Sequence, residues 1–231
     1  MSIVVSAALS LRALAVRREY TSTIRRPNPR AGGIVLSSGA LRGPGRVPLT
    51  LFYFDVETTG DDPQQDRIVS VQYRQLGDAF EPVGELQILV EWEWGEKQIV
   101  QAIMEKGALV ANWDFVPVGN RVRFDLTFLV ERATKWGLLN WDAAQLKYFW
   151  YTKPFLDLQT VLVLMNRGQF TGSSLQAFAD KESGSKVPIL YRGGRYAEII
   201  AYVTKEQEAA LTILRETLDL LGPFGDARRR T

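Results

Sequence analysis

Apolar and polar positions alternate in three bursts between residues 49 and 92, separated by polar turns. LTLFYFDV, RIVSVQYRQLG and GELQILVEW have the period-two pattern and the β-branched and aromatic content of strands, and GDDPQQD links the first two. Three such runs joined by short links predict an antiparallel meander. The spacing then lengthens. A short helix is expected over 96–106, the apolar stretch ALVANWDFVPVG follows, and FDLTFLVERATKWG has a helical pattern with Gly137 near its end. A helical region is expected over about 157–166, and SSLQAFADK reads as a short helix started by a serine cap. In the last segment, RYAEIIAYVTKEQEAALTILRETLDLLG, Ile199, Val203, Ala210, Leu214 and Leu218 fall near helical spacing, and Gly222-Pro223 is expected to end the helix. Strands first and helices after predict a single α/β domain with helices packed on a mixed sheet.

Composition changes this picture at the ends. The first 48 residues are rich in Arg, Ser, Gly and Pro and carry little periodicity, so they read as an N-terminal extension with at most a short element near its start. The expected partition is an extension over 1–48, one domain over 49–222, and a basic tail over 223–231. Eight arginines against Glu19 leave residues 1–50 at +7, while 20 basic and 25 acidic side chains leave the rest at −5. A basic arm on an acidic body fits an interaction tail, a targeting sequence or a plain extension. No apolar run reaches the ~18 residues of a membrane span, so no membrane association is expected and a cytoplasmic location is.

The chain contains neither cysteine nor histidine. That excludes thiol nucleophiles, Ser-His-Asp triads, disulfides, zinc sites built on Cys or His, and histidine general bases. Hydrolytic chemistry, if present, must run on carboxylates, Tyr, Lys or Ser. Residues 52–60, FYFDVETTG, answer that restriction. Asp55 and Glu57 lie two apart in a strand and so share a face. Two like charges on one face of an apolar strand are costly unless a cation sits between them. Magnesium takes carboxylate oxygens and keeps waters, which suits a site open to phosphate.

Three further features follow in order: GNRVRFDLTFL with Asn120, Phe124 and Asp125; PFLDLQTV with Asp157; and YVTKE with Tyr202 and Glu206. Tyr202 and Glu206 stand at i and i+4, on one helix face, and read as lying off its main apolar seam. Asp125 also fits the acid favoured at a helix N-terminus, and Asp157 fits a helix cap and is left out of the catalytic set. Phe124 and the six tryptophans read as packing residues. Arg121 and Arg123 fit either phosphate contact or a solvated surface.

The set resembles the DEDD superfamily of 3′→5′ exonucleases, which has the ribonuclease H-like fold. FYFDVETTG matches the first motif throughout, and Asn120 to Asp125 is similar to the second. The absence of histidine leaves the Tyr branch, which includes the proofreading domains of family B DNA polymerases. The resemblance covers about residues 50 to 220. It implies a mixed sheet flanked by helices. It also implies two Mg²⁺ or Mn²⁺ ions bound by Asp55, Glu57, Asp125 and Glu206, with Tyr202 orienting the attacking water, and Thr58, Asn120 and Phe124 as substrate-binding residues. One ion would activate water and the other would stabilise the leaving 3′ oxygen. The implied substrates are single-stranded DNA or RNA 3′ ends, DNA favoured, and the implied setting is a stand-alone enzyme or a subunit of a polymerase or repair complex. One position departs from the pattern, since Glu206 stands where the family has Asp. A weakened or inactive nucleic-acid-binding module on the same fold is the alternative, and an endonuclease is a third reading.

Overall fold

The computed structural model describes residues 49–178 and 184–228, with side chains described up to residue 217. The expected extension over 1–48 and the end of the SSLQAFADK segment lie outside the described residues.

The three alternating runs form β1 (Leu51–Thr58), β2 (Ile68–Leu76) and β3 (Pro82–Val90), paired antiparallel as a meander. The third strand ends sooner than its pattern implied. Glu91–Trp94 forms a helical turn, α1, and α2 (Glu96–Glu105) follows across Gly95, whose φ of 74° favours glycine. The chain then returns as β4 (Val116–Gly119), enters α3 (Val122–Lys135), and continues through α4 (Ala143–Thr152), the two-residue strand β5 (Leu156–Asp157) and α5 (Leu158–Met165). Short helices α6 (Leu175–Phe178) and α7 (Val187–Arg192) precede the long α8 (Tyr196–Arg228).

The sheet order is β3-β2-β1-β4-β5, with β4 parallel to β1 and β5 parallel to β4. Only β2 runs against the rest. The sheet is mixed and flanked by helices, as the resemblance implied, with β1 at its centre. Alternation sends Phe54 and Val56 of β1 into a core with Ile99, Ile103, Leu126 and Leu129 of α2 and α3. It sends Tyr53 to the other face, into a second core with Ala210, Leu211 and Leu214 of α8.

Four further details depart from the sequence expectations. Helix α4 and helix α7 were not anticipated. The signal for α4 was present as a capping box: Asp142 accepts from the Gln145 amide while the Gln145 side chain accepts from the Asp142 amide. Helix α8 runs on through Gly222-Pro223 to Arg228. A proline removes one backbone bond and crowds the preceding turn, but it acts here on a helix already nucleated over many turns, where each added residue propagates cheaply. Finally, Tyr202 does not stand off the apolar seam of α8. It packs in a third cluster with Val69, Val187, Ile199 and Val203.

Among the described residues no helix is long and apolar enough to cross a membrane.

Candidate metal centre

The site is assembled from the ends of three elements. Asp55 and Glu57 project from β1 on the face covered by α8. Next to Glu57 the pairing with β2 slips by one residue, so that Glu57 opposes Ser70 and Thr58 opposes Ile68. The extra residue, Val69, packs against Tyr202 and Val203 of α8. Such bulges recur where a sheet must re-aim a side chain.

Asp125 arrives from the opposite layer. Strand β4 lies parallel beside β1 and ends at Gly119. A Cβ at Gly119 would stand 2.4 Å from the Phe54 carbonyl oxygen, so only glycine permits this approach. Arg121 then takes a left-handed conformation, φ 60°, and starts α3. Asp125 thus falls in the first turn of α3, with an exposure of 2%. Asp157 fixes this junction, accepting from the Arg121 amide at 2.9 Å, the Arg123 amide at 3.4 Å and the Gln159 amide at 3.0 Å. Its carboxylate caps two helices and is absent from the cleft lining.

Glu206, at 5% exposure, comes from α8. Ligand oxygens of Asp55, Glu57 and Glu206 lie within 4.8 Å of one another. Asp125 lines the same cleft, about 490 Å³ in volume, together with Thr58, Asn120, Phe124 and Tyr202. Every residue singled out from the sequence for the site therefore borders one cleft. The extra methylene of Glu206 does not hold it away from the β1 carboxylates.

The electrostatics are those of several carboxyl groups buried close together. Burial, followed by repulsion from Asp55, Glu57 and Glu206, pushes the Asp125 carboxyl well above the usual range. Its Oδ2 is buried without a hydrogen-bond partner. Burial likewise pushes the Tyr202 phenol well above its ordinary value, helped by the charge of Glu57 and by both the charge of Glu206 and a hydrogen bond to it. Tyr202 is therefore protonated throughout the physiological range. The donor set is made of carboxylate oxygens alone, which suits a hard divalent cation of the Mg²⁺ or Mn²⁺ type. A cation here would relieve the repulsion and satisfy the Asp125 oxygen, so these residues fit such an ion.

Around this centre, Thr58 donates its hydroxyl to the Gly60 carbonyl at 2.6 Å, so it shapes the turn after β1. The Arg121 guanidinium covers the Phe124 ring at 4.8 Å, and Phe124 is half-buried at the cleft wall as well as packed on the core. Arg123 lies over Trp150, 5.8 Å from its ring centre. No tryptophan lines the cleft. Two contributors were missed from sequence. Tyr53 extends the Asp55–Glu57 face by one more alternate position, and its hydroxyl is buried without a partner. The turn Gly184–Lys186 packs on Tyr202, with the Lys186 ammonium 5.1 Å from the ring centre. Strand periodicity could have found Tyr53, but nothing in the local pattern marks the turn.

No family model matches the chain, and no curated protein matches it. Among solved structures it is similar to Escherichia coli exonuclease I in complex with a dT13 oligonucleotide, at 15% identity and a TM-score of 0.46, covering 78% of this chain and 43% of that one. It is similar to the zinc-bound form of the same exonuclease with single-stranded DNA, at 14% identity and a TM-score of 0.46, covering 78% and 42%. A moderately thermophilic exonuclease I from Methylocaldum szegediense gives 16% identity and a TM-score of 0.36, covering 50% and 29%. The chain spans less than half the length of these exonucleases.

Proposed function

We propose that this chain is a divalent-metal-dependent 3′→5′ exonuclease acting on single-stranded nucleic acid, DNA in preference to RNA, and that it belongs with the Tyr branch of the DEDD group. The observation that carries the reading is the convergence of Asp55, Glu57 and Glu206 within 4.8 Å in the cleft that Asp125 also lines. Carboxylates drawn from β1, α3 and α8 repel one another when buried together, and a divalent cation among them would offset that repulsion.

In this reading Asp55, Glu57, Asp125 and Glu206 hold two Mg²⁺ or Mn²⁺ ions, which when bound acidify a water and neutralise charge on the scissile phosphate. The chain's own groups do the rest. Tyr202 spends its proton on Glu206 and keeps its phenol in the neutral form. Its phenol borders the cleft, where it would orient the attacking water by hydrogen bonding. Phe124, backed by the core, offers an aromatic surface for the terminal base. The Asn120 side-chain oxygen, buried without a partner, waits for a donor on the substrate. Arg121 at the rim carries positive charge to the phosphodiester. Water adds to the last phosphodiester, the P–O3′ bond breaks, and a nucleoside 5′-monophosphate leaves.

The test is a 5′-labelled single strand incubated with the protein and Mg²⁺ or Mn²⁺, with chelator, and with Asp55→Ala. A ladder shortening from the 3′ end, lost in both controls, is expected. An intact strand that is retained in a gel shift would instead assign a binding module, and discrete internal cuts an endonuclease.

A further inference from the structure

Behind the β1 carboxylates, strand β2 carries two polar side chains that the proposed chemistry does not use. Gln72 pairs directly with Asp55, and Ser70 with Glu57. Paired residues share a sheet face, so all four lie on the side covered by α8. Gln72 and Ser70 are both fully buried, at 0% exposure. Polar groups in such a place are costly unless each finds a partner.

They do. One terminal atom of the Gln72 amide lies 2.8 Å from the Asp55 carbonyl oxygen and 3.2 Å from Asp55 Oδ2, and the other lies 2.7 Å from Ser70 Oγ. A backbone carbonyl oxygen can only accept, so the atom facing it is the amide nitrogen. Gln72 therefore donates to Asp55, and its amide oxygen accepts from the Ser70 hydroxyl. The Asp55 carbonyl selects the orientation of the amide, Ser70 steadies its oxygen, and the amide holds the carboxylate.

We propose that Gln72, locked by Ser70, is a positioning residue that presets Asp55 for cation binding. The inference rests on the reading of the cleft as a divalent-cation site. Asp55 and Asp125 repel each other within the buried cleft. The Gln72 donor offsets part of that repulsion and ties down one oxygen, so the rotamer that faces the cleft is set before any ion arrives. Outer partners of this kind orient ligating carboxylates in metal sites generally.

The experiment is a calorimetric Mn²⁺ titration of the full chain and of Gln72→Met, Ser70→Ala and Asp55→Asn, with thermal unfolding of each. Gln72→Met keeps the side-chain length without donors and is expected to weaken Mn²⁺ binding about 10- to 100-fold. Ser70→Ala removes the donor that steadies the amide oxygen and is expected to weaken binding about 5-fold. Oligonucleotide cleavage by both variants should recover as Mn²⁺ is raised, with an unchanged KM for the strand. A merely structural role would lower the unfolding temperature and leave Mn²⁺ affinity alone, and that result overturns the proposal. If Gln72→Met does not fold, Ser70→Ala decides, because it removes only one hydroxyl. If the wild-type chain binds no Mn²⁺, or Asp55→Asn binds it equally well, the cation reading falls and this inference with it. Wild-type affinity in both β2 variants, with Asp55→Asn impaired, overturns the positioning role alone.

Discussion

The Asp157 carboxylate accepts the backbone N–H of Arg121 at 2.9 Å across 36 residues of sequence. Through that bond the end of β5 holds the β4–α3 junction, and the junction sets where Asp125 enters the cleft. Arg121 sits at φ 60°, a conformation that non-glycine residues adopt at a cost. The capping carboxylate helps to offset that strain. Asp157→Ala is expected to destabilise the fold by about 1–2 kcal/mol, the range for loss of a helix cap. It should also weaken cation binding by displacing Asp125. Denaturant unfolding paired with Mn²⁺ titration checks both, and unchanged affinity would detach Asp157 from the site.

The position of Glu206 leads to a second expectation. Its oxygen reaches the β1 carboxylates from α8 as the helix now stands. Aspartate would withdraw that oxygen by ~1.5 Å, one C–C bond. Glu206→Asp should therefore lower the cleavage rate at fixed Mn²⁺ by about 10-fold or more, a usual consequence of misplacing a group at a reacting centre. A rate gain in the single-strand assay would mean that the helix readjusts and that the longer side chain is the poorer ligand.

Removing charge from the carboxylate cleft should stabilise it when no cation is supplied. The Asp125 carboxyl is raised by burial and then by its acidic neighbours. A carboxyl raised above its unfolded value binds more protons folded than unfolded, so stability falls as pH climbs above about 4. Asn cannot ionise. At pH 7 with chelator, Asp125→Asn should raise Tm by about 3 °C or more, the shift that about 1 kcal/mol produces in a domain of this size. Excess Mn²⁺ should stabilise the wild type by mass action, by about 2.7 kcal/mol at 100 times its Kd. The variant should respond much less in a thermal melt.

A buried ion pair braces the layer behind the site. Arg132 of α3 donates to both oxygens of Glu96 on α2, and Trp136 Nε1 and the Ile68 amide donate to the same carboxylate. Glu96→Ala leaves the guanidinium in a dry interior with the Pro63 carbonyl as its remaining partner among these contacts. That should cost about 3–5 kcal/mol. A Glu96→Leu, Arg132→Met double variant should recover much of it, which denaturant midpoints will measure.

Lys153 provides a pH signature remote from the carboxylates. Its ammonium donates to the carbonyls of Gly107, Val110 and Phe115. Burial nevertheless lowers its pKa from 10.5 to about 8. Between those values the unfolded chain binds the proton and the folded one does not, so stability should rise as pH climbs from about 8 to about 10.5. The gain is bounded at about 3 kcal/mol. Lys153→Met should abolish the rise and destabilise the fold at every pH by orphaning the three carbonyls. Urea midpoints across that range are the check.

Much of this was legible in the chain. The meander followed from three period-two runs, and α2, α3 and α5 from helical spacing. The pairing of Asp55 with Glu57 on one face followed from the geometry of any strand. Tyr202 and Glu206 shared a face because four residues make about one helical turn. These are local consequences of sterics and periodicity, so sequence alone determined them. It did not determine that β4 lies parallel against β1, that Gly119 lets the end of β4 approach Phe54, or that α8 crosses the face bearing the carboxylates. It did not reveal Gln72 behind Asp55 either, since that depends on strand register. Those relationships arise between residues far apart in the chain. They are settled only when apolar faces are buried together and each buried polar group must find its partner, and that is where tertiary structure decided the site.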